Sequence, residues 1–138
     1  MAYELIALLT DDADFTIGRL AELLRDEFSA DPAATVGLEA HPSGAGRRVA
    51  VHWGDWSLRA FWEDEPHVLE EFREIADAFA GSRPDRERIA GCRRRITLAA
   101  DDDPDMDHFN DYLFIMERLG RQEGVILFDP KVPEFVEG

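Results

Sequence analysis

Residues Arg47 to Trp62 read RRVAVHWGDWSLRAFW, and this stretch decides the fold. Two runs of alternating character flank Gly54-Asp55. Glycine supplies the positive φ that a two-residue hairpin turn requires, so the spacing predicts strands over Arg47 to Trp53 and Trp56 to Trp62. Pairing them across the turn sets Trp53 opposite Trp56, Val51 opposite Leu58 and Val49 opposite Ala60. The two-residue period of a strand then gathers Val49, Val51, Trp53, Trp56, Leu58, Ala60 and Trp62 on one side. Arg48, Ala50, His52, Ser57, Arg59 and Phe61 fall on the other. One face is apolar and the other mostly polar, as in a sheet with helices on one side. A buried aromatic hides about 150–250 Å², worth several kcal/mol at roughly 25 cal/mol per Å². Trp62 therefore reads as core. Trp53 and Trp56 flank the hairpin tip and read either as core or as the rim of a contact surface.

Working outward, Tyr3 to Leu9 is an apolar run that reads as a strand buried on both faces near its end. Phe15, Ile17, Leu20, Leu23, Leu24 and Phe28 follow helical spacing, with Asp14 as N-cap. Asp31-Pro32 closes that helix. Thr35 to Ala40 alternates as a strand, and His41 to Gly46 is a loop by composition. Pro66 opens a second helix with the stripe Val68, Leu69, Phe72, Ile75, Ala76 and Phe79, and Gly81 stops it. Arg83 to Gly91 is a polar connector with room for one helical turn at Pro84. Arg94 to Ala100 is a strand. Asp103-Pro104 starts a third helix, which uses Phe109, Tyr112, Leu113 and Met116 and ends at Gly120. Gly124 to Phe128 is a last strand, and residues 131–138 form a loosely docked tail held by Phe135.

The resulting order, β-α-β-β-β-α-β-α-β, predicts an α+β fold. Its sheet is mixed and mainly antiparallel, with the helices packed on one face or, alternatively, flanking it. The 138 residues suit a single domain over 1–138. LIALLTDDADF (Leu5 to Phe15) and ITLAADDDPDM (Ile96 to Met106) echo each other as strand, acidic turn and helix start.

The net charge of −15 sets the chain against nucleic acid and anionic membranes and toward a basic protein partner. No apolar run reaches the roughly 18 residues of a membrane span. The first residues lack a signal peptide's basic start and cleavage site, so the chain reads as cytoplasmic. Cys92 is the sole cysteine, which excludes an internal disulfide and a cysteine-based zinc site. It reads as a small buried hydrophobe.

Asp101, Asp103 and Asp105 have the spacing of the first ligands of a calcium loop, but Met106 stands where glycine is needed and Tyr112 where glutamate is. The acidic run reads instead as a helix start. A different metal site, built from Asp105, Asp107, His108 and Asp111, is the basis of an alternative reading as a metal-dependent enzyme. His41, His52, His67 and His108 show no metal-binding spacing, and no nucleophile elbow or phosphate loop occurs. No cofactor and no catalytic residue are assigned.

These features favour a small acidic protein that acts by non-catalytic protein–protein binding, such as an immunity-type neutraliser of a basic toxin. Charge would steer it onto the partner and aromatics would anchor it. The partner-binding candidates are Trp53, Asp55, Trp56, Asp101, Asp102, Asp103, Asp105 and Asp107. Arg48, His52 and Arg59 form a second candidate face, for an anion or a partner. Over residues 14–100 the order helix, three strands, helix, strand resembles the secretion-chaperone architecture. That resemblance implies a dimer that binds an effector segment, so both monomer and homodimer are expected states.

Overall fold

A computed structural model describes residues 2–40 and 47–136. The His41 to Gly46 loop and the end of the tail lie outside them. The strands are β1 (Glu4–Leu9), β2 (Ala34–Ala40), β3 (Arg47–Trp53), β4 (Trp56–Glu63), β5 (Arg94–Ala100), β6 (Val125–Asp129) and β7 (Glu134–Val136). The helices are α1 (Ile17–Glu27), α2 (Pro66–Ile75), α3 (Arg86–Ala90) and α4 (Phe109–Gly120). All seven strands join one sheet in the order β2-β3-β4-β5-β1-β6-β7, with every neighbouring pair antiparallel. This is the α+β architecture that the hairpin anticipates, and the register across Gly54-Asp55 is the one derived from alternation. Gly54 holds a φ of 60° at that turn.

The helices lie on both faces of the sheet rather than on one. Leu20, Ala21 and Leu24 of α1 and Tyr112, Ile115 and Leu119 of α4 share one cluster with Leu5, Ala7, Leu9, Val49, Val51, Leu58, Ile96 and Leu98. On the opposite face, Val68 and Phe72 of α2, Ile89 of α3 and Cys92 pack on Leu8 and Phe128. The cause is legible in β1. Leu8 and Leu9 are consecutive and both fully buried, so each face must be covered. The polar run of β3 and β4 confines that second helical layer to the other half of the sheet.

Several element boundaries differ from the sequence expectation. Thr16, not Asp14, caps α1, accepting a hydrogen bond from the Arg19 amide at 3.1 Å. Helix α4 starts at Phe109 rather than Asp103, because Asp103 turns inward and Met106 adopts a φ of 58° that no helix continues. Residues 76–80 form a π-helical turn after α2. The extra residue rotates the apolar stripe, so Phe79 is exposed whereas Ala80 is buried. The tail contributes β7 on β6, with Phe135 edge-on to Phe128 at 5.0 Å. The two echoing strands, β1 and β5, are antiparallel neighbours whose following helices share a cluster. The correspondence stops at the next strand: β6 pairs with β1, but β2 lies at the sheet edge.

Candidate functional site

The hairpin tip and the acidic segment after β5, distant in sequence, are tied together. The Trp56 indole donates to the carbonyls of Asp101 (3.1 Å) and Asp102 (3.2 Å). The Ser57 amide donates to the Asp101 carboxylate at 2.9 Å, and the Arg59 guanidinium meets the same carboxylate at 3.1 Å. The result is one ridge, running from the exposed Asp55 through Asp102, Asp105 and Asp107, all exposed. Met106 is 48% exposed within it. Its left-handed backbone turns the segment between Asp105 and Asp107. Sequence reasoning passed over Met106 except as a misfit to the calcium loop. An apolar residue inside an acidic run was the available signal.

Three of the sequence-derived candidates lie under this ridge instead of on it. Trp53 and Trp56 are 7% and 6% exposed, so they are core and not surface anchors. The tip is covered because α1 and the acidic segment close over it. Phe28 meets Trp53 edge-on at 5.1 Å, Asp31 accepts from the Trp53 indole at 3.1 Å, and His108 lies over Trp56. Trp62, at the far end of β4, is only partly buried, the reverse of the expected ranking. Asp103 is buried as well. It accepts from the Tyr3 hydroxyl at 2.6 Å and from the His108 amide at 3.1 Å. Burial is the largest influence and opposes its ionisation, but these two donors, together with the Asp107 amide and the neighbouring His108, outweigh it and hold its pKa below the ordinary carboxylate range. Burial, reinforced by the Asp103 charge, pushes the Tyr3 phenol up to about 12. Asp101 is half-buried through its bonds to Ser57 and Arg59.

The second candidate face is built as alternation required. Arg48, His52 and Arg59 share the side of β3 and β4 away from the first core cluster. Each has a local partner: Glu39 for Arg48, Asp101 for Arg59, and the Ser57 hydroxyl at 2.6 Å for the His52 Nδ1. The two arginines therefore offset nearby acids, and His52 is tied to a neutral hydroxyl, so none of these three side chains is left without a local partner.

Among the described residues, no three His, Cys, Asp or Glu side chains are placed to hold a metal ion. Of the alternative metal set only His108 and Asp111 meet, at 3.2 Å, which is one turn of a helix and not a coordination shell. The Cys92 thiol donates to the Arg88 carbonyl, and burial pushes it up to about 12, far from the thiolate that a nucleophile needs. No described helix is long and apolar enough to cross a membrane. Comparison of the chain with protein-family models, curated proteins and solved structures finds no match.

Proposed function

We propose that this protein acts by binding a basic protein through the acidic ridge at the hairpin tip, in the manner of an immunity-type neutraliser. The observation that carries the reading is Met106, an exposed apolar side chain set among the exposed carboxylates of Asp102, Asp105 and Asp107. Methionine is enriched at protein interfaces and adapts to irregular partner surfaces. The surrounding charge supplies long-range attraction to a cationic patch, which raises the association rate. Trp53, Trp56 and Asp103 serve beneath the ridge as its rigid support, a role that fits their burial.

The test starts from capture of the partner in the source cell, followed by its purification and calorimetric titration. Two variants accompany the wild type: Met106→Ala, and a quadruple change of Asp55, Asp102, Asp105 and Asp107 to Asn. Affinity for the partner falls with added salt and drops at least about fivefold in Met106→Ala, the threshold of a contributing interface residue. The quadruple variant slows association more than it speeds dissociation. A partner that binds both variants as tightly as the wild type, or one whose affinity ignores salt, defeats the reading.

A further inference from the structure

We infer that the outer edge of β2 pairs antiparallel with the same strand of a second copy, joining two sheets into one across a two-fold axis at Gly37. Strand β2 ends the sheet, and among the described residues no strand bonds to its outer side. Its sequence, ATVGLEA, carries little of the usual protection of an edge. It has no proline and no lysine, and its only charge is Glu39. Seven consecutive pairs with β3 leave no bulge to twist it away. The opposite edge of the sheet is protected in the ordinary way, by the three-residue β7. On the core side, Val36 and Leu38 are only partly buried, although they pack against the main cluster. Their remaining apolar surface is what a strand added at this edge would cover.

The sequence of β2 fits itself. With the axis at Gly37, residues whose numbers sum to 74 face each other, so Val36 meets Leu38 of the second copy and Leu38 meets Val36. Thr35 then faces Glu39 twice, and the two glutamates never oppose each other. Even sums keep each side chain on its own face, so the apolar side stays continuous. Gly37 is unexplained by the isolated chain. Its φ is not in the positive range, and a Cβ there would meet nothing within 4 Å. Glycine inside a strand weakens it, and pairing with a second strand would offset that weakness.

Each copy carries a charge of −15, so long-range repulsion opposes the pairing and salt must strengthen it. This sign is opposite to the salt dependence of binding at the acidic ridge, which separates the two surfaces experimentally. The test is sedimentation equilibrium of the full chain over a range of protein and salt concentrations. We expect a monomer–dimer equilibrium that shifts toward dimer as salt rises. Thr35→Glu/Gly37→Glu sets three like-charged pairs across the axis and weakens the dimer by about tenfold to a hundredfold. Gly37→Cys brings two thiols together on the axis, so mild oxidation yields a disulfide-linked dimer. The buried Cys92 gives none in the wild type. Both positions project into open or exposed space, and circular dichroism confirms that the variants fold. A monomer under every condition overturns the inference. So does a dimer that ignores the double glutamate and leaves Gly37→Cys unlinked.

Discussion

The imidazole of His108 lies flat on the indole of Trp56, with ring centroids 4.2 Å apart and planes 11° from parallel. One edge of the ring is held by Asp111, and the second indole, Trp53, lies 5.4 Å away. This stack is the lid of the hairpin tip. It converts the part of the β-ribbon farthest from the helix centres into core, and fixes the first residues of α4 above it.

Removing the lid has a two-part signature. His108→Ala loses an aromatic stack worth roughly 0.5–1.5 kcal/mol and opens the indoles to solvent. Thermal or urea unfolding reads the first, and acrylamide quenching of tryptophan emission reads the second. His108→Phe keeps the stack and restores both. Asp111→Ala, which only loosens the ring's orientation, falls between them.

A second prediction follows from Asp103, buried beneath that lid with Tyr3 and the His108 amide as donors. Its folded pKa lies below that of the unfolded chain. Its contribution to stability is therefore complete above the unfolded value of about 4, and is lost as pH falls through the lower folded value. Asp103→Asn removes this ionisation and with it that segment of the pH profile. Urea midpoints measured at successive pH values show the wild type and variant converging as the solution is acidified below roughly pH 4. Parallel profiles would contradict the assigned bond.

The hairpin was readable because period two and a Gly-Asp turn are local signals, and both survive tertiary packing. The division of helices between the faces was only half readable. Consecutive Leu8 and Leu9 announce a strand covered twice, but not which helix covers which face. The start of α4 was misread because an aspartate before proline is an equally good helix opening and a buried acceptor. Only the Tyr3 hydroxyl, 100 residues distant, decides between them. The candidate ridge was legible as charge. Its supporting tryptophans were misplaced because the depth of a hairpin tip depends on what folds over it, and Phe28 and Asp31 come from just past the end of α1 while His108 comes from the segment after β5.

Arg95 provides a third test. Its side chain is nearly buried between two carboxylates, with Glu63 at 2.9 Å and Glu71 on its other nitrogen. Glu63 also accepts from Thr97 and is 32% exposed, against 46% for Glu71. The less solvated, doubly bonded partner matters more. Glu63→Gln therefore lowers stability by about 1–3 kcal/mol and Glu71→Gln by under about 1 kcal/mol. Arg95→Ala exceeds both, since it leaves two carboxylates facing each other. Equal losses for the two glutamines would show that burial does not rank these bonds.

The last prediction compares two glycines that both require positive φ. Gly54 has a φ of 60° and open space where a Cβ would stand. Gly124 has a φ of 80°, and a Cβ there would lie 2.6 Å from the Ala13 Cβ and 2.8 Å from the Thr10 Oγ1. Its carbonyl accepts from the Thr10 amide at 2.9 Å, so the backbone cannot retreat without breaking the tie between β1 and the start of β6. Gly54→Ala carries the conformational penalty alone, about 1–2 kcal/mol. Gly124→Ala adds an overpacking term of about 1–3 kcal/mol to a similar penalty. Urea unfolding of the two variants should therefore place Gly124→Ala well below Gly54→Ala. A pair of equal midpoints would mean that the Ala13 turn yields, and that the close contact at Gly124 does not fix this end of the sheet.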